Sequence, residues 1–127
     1  MPIVSISLDE KMLKDIDYVE QDLGFAGRSE LVRAGIRMLI ADKKARDELK
    51  GHISCVLVVT HDEGLEDPVT EIKHLFDSVV KSHLHYKLGE KKCLELMVLD
   101  GNAPEIKEIV RQFQTSGSMD NVKLILP

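Results

Sequence analysis

Aromatic residues are scarce in this sequence, at 4% of 127 residues, and tryptophan is absent. Stacking on unpaired bases, the usual hold on single-stranded nucleic acid, is therefore not the expected mode of any nucleic-acid binding. No apolar run reaches the roughly 18 residues that would cross a bilayer. The opening stretch MPIVSISLDEK has neither a basic leader nor a long apolar segment, so a cytoplasmic protein with no membrane partner is expected. Cysteine is limited to Cys55 and Cys93, too few to staple a small secreted fold; in a reducing compartment both remain thiols, and either is free to act as a ligand. Internal repeats and low-complexity tracts are absent. No nucleophile and base pair stands out, which argues against an enzyme.

What is present suffices for a packed core, since 43% of residues are hydrophobic. The net charge of −5 runs against a nucleic-acid partner, because phosphate binding draws its affinity from Lys and Arg. The distribution qualifies this. Residues 1–50 carry nine Lys/Arg against ten Asp/Glu, whereas residues 51–127 carry eight against twelve, so the acidic excess lies mainly in the second part. All five histidines lie there too, between His52 and His85.

The chain opens with alternation, Ser5 and Ser7 against Ile6 and Leu8, which predicts a short strand. Asp9 then caps a helix whose apolar stripe is Met12, Leu13, Ile16, Val19 and Leu23, and Gly24 ends it. Ser29 is expected to cap a second helix with Leu31, Val32, Ile36, Leu39 and Ile40 on one face. The charged run ADKKARDELKG leads to a hinge at Gly51. Beyond it the pattern reads strand (HISCVLVVTHD), helix (DPVTEIKHLFDSVV, with Pro68 in its first turn), a hairpin (SHLHYKL, then CLELMVLDG), helix (APEIKEIVRQFQTSG) and strand (VKLILP). That βαββαβ order is ferredoxin-like. The expected class is α+β, with one domain over residues 1–50 and a second over 51–127.

A six-residue strand with two helices does not fold alone, because its edges stay unpaired and the helical stripes lack cover. A second copy supplies both. Two strands paired antiparallel make a ribbon that fits the major groove of duplex DNA, with Ser5 and Ser7 facing base edges and Ile3 beside them. Ser29 offers its hydroxyl and the free amides of a helix start to a phosphate, and Arg28 reinforces it. The order of strand, helix, GFAGRSELVR turn and helix resembles the ribbon-helix-helix DNA-binding domain, whose most specific piece here is RSE. A strand-and-helix dimerisation module without DNA is the plainer alternative.

In SHLHYKLGEKKC, His83 and His85 share one side of their strand, Cys93 opens the partner strand, and His74 sits on the preceding helix. A lone His-x-His is often only a solvated strand. Imidazoles grouped with a thiolate suit late first-row divalent metals, and a planar set of four points to nickel or copper.

With these residues in view, the whole chain resembles the nickel-responsive transcriptional regulators (NikR family), which join a ribbon-helix-helix domain to a ferredoxin-like, ACT-type domain. CLELMVLDG is similar to the family's stretch after its ligand cysteine, and HDEG to a loop found in some members. The resemblance implies a homotetramer, dimeric through its first domain and tetrameric through its second, that binds Ni2+ or another late first-row divalent metal and an operator in double-stranded DNA. It implies a square-planar site with two histidines and a cysteine from one hairpin and a histidine from a neighbouring subunit's helix. The family motif runs His, eleven residues to His, two to His, six to Cys. His74, His85 and Cys93 keep the first, second and last seats, and the remaining seat falls on Lys87, an ammonium that repels cations.

Two hairpin registers are open. A three-residue turn of Gly89, Glu90 and Lys91 sets Lys87 opposite Cys93; a longer loop sets His85 opposite Cys93 and His83 opposite Glu95, restoring the His-x-His pair. The candidate ligands are thus His74, His83, His85 and Cys93. Glu95 is expected either to orient an imidazole or to be an exposed carboxylate. His61 reads as an accessory ligand or a solvated loop histidine, and Cys55 as a small core residue. Glu30 matches a family cation site between the domains, but Ala34 stands where a carboxylate is often found. The expected function is a metal-responsive repressor. Its rivals are a repressor with an amino-acid effector at the ACT-type domain and a metal-independent, antitoxin-like repressor.

Overall fold

The computed structural model describes residues 1–127. They form two compact units, Met1–Ala45 and Arg46–Pro127. The last two residues of the second helix belong to the second unit. Arg46 donates to the Gln114 side chain at 3.2 Å, and the Asp47 carbonyl accepts from Lys107 at 3.2 Å.

In the first unit, α1 spans Glu10–Leu23. The Asp9 carboxylate accepts from the Met12 amide at 2.8 Å, and Gly24, at φ 77°, closes the helix with its N–H on the Glu20 carbonyl. The second helix, α2, spans Arg28–Asp47. It starts one residue before Ser29, which therefore lies inside the first turn instead of capping it; the Leu31 amide reaches back to the Gly27 carbonyl at 3.1 Å. Of α1 only Ile16 is buried, and α2 buries no residue. The strand expected over residues 3–8 is not a strand in the single chain, where residues 1–9 are exposed and carry no regular structure. A ladder needs a second backbone, and residues 1–9 pair with none in the single chain.

The second unit runs β1 (His52–Asp62), a 3-10 turn (Glu63–Leu65), α3 (Glu66–Leu75), β2 (Val80–Leu88), β3 (Lys92–Asn102), α4 (Ala103–Thr115) and β4 (Met119–Ile125). The sheet order is β2-β3-β1-β4, with every neighbouring pair antiparallel, the arrangement expected of βαββαβ connectivity. Helix α3 stops at Leu75, five residues before the expected end at Val80. The amides of Val79 and Val80 both turn back onto the Phe76 carbonyl, and Val80 opens β2 two residues ahead of Ser82.

Period-two burial builds the core. Cys55, Leu57 and Val59 of β1 and Met97 and Leu99 of β3 point to the helical side, where α3 contributes Val69 and Ile72 and α4 contributes Ile106, Ile109, Val110 and Phe113. The α4 residues recur at the i, i+3, i+4, i+7 spacing of one helical face, and Cys55 is the small core residue expected of it. The opposite face of the sheet is apolar but open. Leu84, Tyr86, Leu88, Val98 and Ile125 are all exposed there.

Candidate metal centre

The hairpin takes the first of the two registers. Leu88 pairs with Lys92 across Gly89, Glu90 and Lys91, so Lys87 stands opposite Cys93, His85 opposite Glu95 and His83 opposite Met97. Gly89, at φ 65°, makes the reversal in a left-handed conformation that residues with a Cβ avoid. Cross-strand partners share a face, so His83, His85 and Lys87 project to the same side as Cys93, Glu95 and Met97. The centre is thus an extension of the core face, beyond the point where the helices cover it.

Three side chains converge here. The Glu66 carboxylate, at the start of α3, lies 3.4 Å from His85 Nε2 and 3.9 Å from Cys93 Sγ. The ligand atoms of Glu66, His85 and Cys93 all lie within 4.8 Å of one another. Glu66 and His85 are exposed, whereas Cys93 is buried. Thiolate, imidazole and carboxylate together fit a late first-row divalent ion. Burial raises the Cys93 thiol pKa, and Glu66, Glu95 and Glu63 push it further in the same direction against a smaller opposing pull from Lys87. Without a cation the sulfur is therefore held in its protonated form.

Lys87 does not enter this cluster. Its ammonium is bonded to Glu63 at 3.2 Å, in the 3-10 turn that precedes α3. His83 is also engaged elsewhere, 2.5 Å from one oxygen of Glu95. The other Glu95 oxygen accepts from His61 Nε2 at 2.8 Å and lies 3.6 Å from His85 Nε2. Glu95 is 3% exposed and His61 is fully buried. Glu95 is therefore a buried carboxylate bonded to His61 and His83, not an exposed one. His61, read as a loop residue in solvent, is the penultimate residue of β1, with Nδ1 on the Asp62 carbonyl at 2.6 Å. A carboxylate taken out of water costs several kcal/mol unless its lone pairs are filled, and two imidazoles fill them here.

His74 lies on α3 away from the cluster, exposed, with Nδ1 3.4 Å from Asp77. Glu66 was not singled out in the sequence. An acidic residue two before a proline reads as an ordinary helix start, and only the folded chain shows its approach to His85 and Cys93.

In the first unit, Ile3, Ser5 and Ser7 lie on the exposed opening segment. Arg28 makes a bidentate ion pair with Asp17, at 2.8 and 2.9 Å. Glu30 accepts from the Ala26 amide at 3.2 Å, which stabilises the turn before α2.

Comparison with known proteins places the chain in a family. Residues 54–126 match the model of the NikR C-terminal nickel-binding domain. A protein of Methanothrix thermoacetophila named as a candidate nickel-responsive regulator is 30% identical over 124 residues, covering 95% of this chain and 89% of that one. Another so named, from Methanocaldococcus jannaschii, is 31% identical over 127 residues, covering 98% and 90%. Among solved structures, an uncharacterised protein of Thermotoga maritima superposes with a TM-score of 0.54 at 17% identity, over 59% of this chain and 96% of that one, a likeness of fold alone. With more than half its length in the nickel-binding domain and near-complete alignment to such relatives, the chain belongs to the NikR family of nickel-responsive regulators.

Proposed function

We propose that the protein is a transcriptional repressor that responds to a divalent metal, nickel first, and grips an operator in double-stranded DNA through a two-stranded ribbon. The observation that carries this reading is the meeting of His85 and Cys93 with a third donor inside the stretch that matches a nickel-binding domain. His74, exposed on α3, is suited to serve a neighbouring subunit's centre, as the family resemblance implies.

The DNA-binding half rests on residues 1–50. Their opening segment is exposed and unpaired, and a second copy of it supplies the missing ladder. Ser5, Ser7 and Ile3 then face the groove, while Ser29 and Arg28 meet phosphates; the exposed Arg28–Asp17 pair is cheap to exchange for a phosphate contact. Exposed Ile36, Leu39 and Ile40 on one face of α2 give the homodimer its core. Residues 51–127 form the metal-binding domain, and the open apolar sheet face supports its assembly into a homotetramer. Donors shared between subunits favour the one arrangement that presents them together, and the shift is limited by the difference in affinity between arrangements.

The test is a nickel titration of the metal-free chain by absorption, together with binding to a duplex selected from random sequences in the presence of nickel. The expected result is a thiolate-to-nickel band saturating at one ion per chain, and DNA binding that a chelator abolishes. In Cys93→Ala both the band and the metal dependence should disappear; metal-dependent DNA binding retained in that variant would refute the assignment.

A further inference from the structure

The family pattern asks for an imidazole at the position of Lys87, and this chain lacks it. Two independent features describe what has happened around the vacant seat. Lys87 is drawn away by Glu63, one residue into the 3-10 turn, so its ammonium is neutralised outside the cluster. Three residues later Glu66 brings its carboxylate to 3.4 Å from His85 Nε2 and 3.9 Å from Cys93 Sγ. Ligand atoms held tetrahedrally at 2.0–2.3 Å from one ion stand roughly 3.5 Å apart, so both separations are close to bonding geometry before any ion draws the side chains in.

We propose that Glu66 is a metal ligand in this chain, replacing the imidazole that Lys87 cannot supply and giving a thiolate–imidazole–carboxylate set from a single subunit. This rests on the metal-responsive reading above and specifies its centre. One segment, Glu63 to Glu66, does two jobs: its first carboxylate removes the repelling ammonium and its last provides the donor.

The replacement changes what the site selects. A carboxylate oxygen is a harder and weaker-field donor than imidazole, and the square-planar preference of nickel depends on strong-field donors. The Glu66, His85 and Cys93 set suits tetrahedral ions, Zn2+ and Co2+, at least as well as square-planar nickel. The charges agree: one thiolate and one carboxylate neutralise a divalent ion, and Lys87 with Glu63 form a separate neutral pair.

The experiment is a titration of the full-length chain with Co2+ and with Ni2+, read by absorption, in the wild type and in Glu66→Gln, Cys93→Ala and Lys87→His. Glu66 is about half exposed, so Glu66→Gln should keep the fold, which thermal unfolding of the metal-free forms verifies. The expected result is tetrahedral cobalt bands with thiolate charge transfer in the wild type. Glu66→Gln should keep the charge-transfer band, move the ligand-field bands and weaken binding by at least about tenfold, the smallest loss seen even for groups that only support a ligand. Lys87→His should shift nickel to a square-planar spectrum and make a further Glu66→Gln change nearly silent. Unchanged affinity and bands in Glu66→Gln, with both lost in Cys93→Ala, would overturn the role of Glu66 while leaving the metal centre in place. Equal binding by the wild type and Cys93→Ala, with no thiolate band in either, would overturn the centre itself and this proposal with it.

Discussion

Glu95 shows how one residue can be read only halfway from sequence. Its place two residues after Cys93 puts it on the site's face, and that much follows from strand periodicity. Its near-complete burial between His61 and His83 does not, because it depends on β1 lying beside β3, a pairing that links residues 34 apart. Replacement by Ala strands the fully buried His61 without its acceptor, and urea denaturation should register a loss of about 1–3 kcal/mol, with Glu95→Gln costing less because it retains a carbonyl. Cys93 gives a pH prediction. Its pKa is raised, and a ligand thiol must shed its proton to bind, so if Cys93 is a ligand, metal has to displace that proton over the whole range below the raised value. Metal affinity should therefore strengthen as pH rises from neutral; competition titrations against a chelator at several pH values measure it, and a pH-independent affinity would mean that sulfur is not a ligand.

At the scale of elements, the order of strands and helices in the second unit was legible throughout, because the strands are short runs rich in β-branched and apolar residues and the helices carry apolar residues at helical spacing. Boundaries were less so. Helix α3 ends early because the Phe76 carbonyl collects two amides, a local choice that hydrophobic pattern does not encode. The hairpin register was the consequential ambiguity, since Gly89-Glu90-Lys91 is compatible with a tight turn and also with part of a longer loop. The left-handed Gly89 marks the tight turn that the chain adopts. Gly89→Val, which puts a branched side chain at φ 65°, should destabilise the chain by roughly 1–2 kcal/mol in denaturant unfolding and also weaken metal binding, because the same turn fixes Cys93 relative to His85. A loss of stability with metal affinity unchanged would mean that the site tolerates slippage of the hairpin.

For the whole molecule, the sequence pointed to assembly through what it left uncovered. Ile36, Leu39 and Ile40 remain exposed on α2, and no arrangement within the first unit buries them. Ile36→Glu should leave the second domain folded yet prevent dimer formation in sedimentation and abolish DNA binding; a dimer that survives the change would place the interface elsewhere. The second uncovered surface lies on β2. This strand sits at the sheet's edge with β3 as its sole neighbour, and its residues alternate: His83, His85 and Lys87 look toward the donors, while Leu84, Tyr86 and Leu88 look the other way. Each donor-side residue is thus one peptide link from an adhesive one. One short strand thus carries the candidate metal-site residues on one side and exposed apolar residues on the other, so a change of its register would displace both sets together.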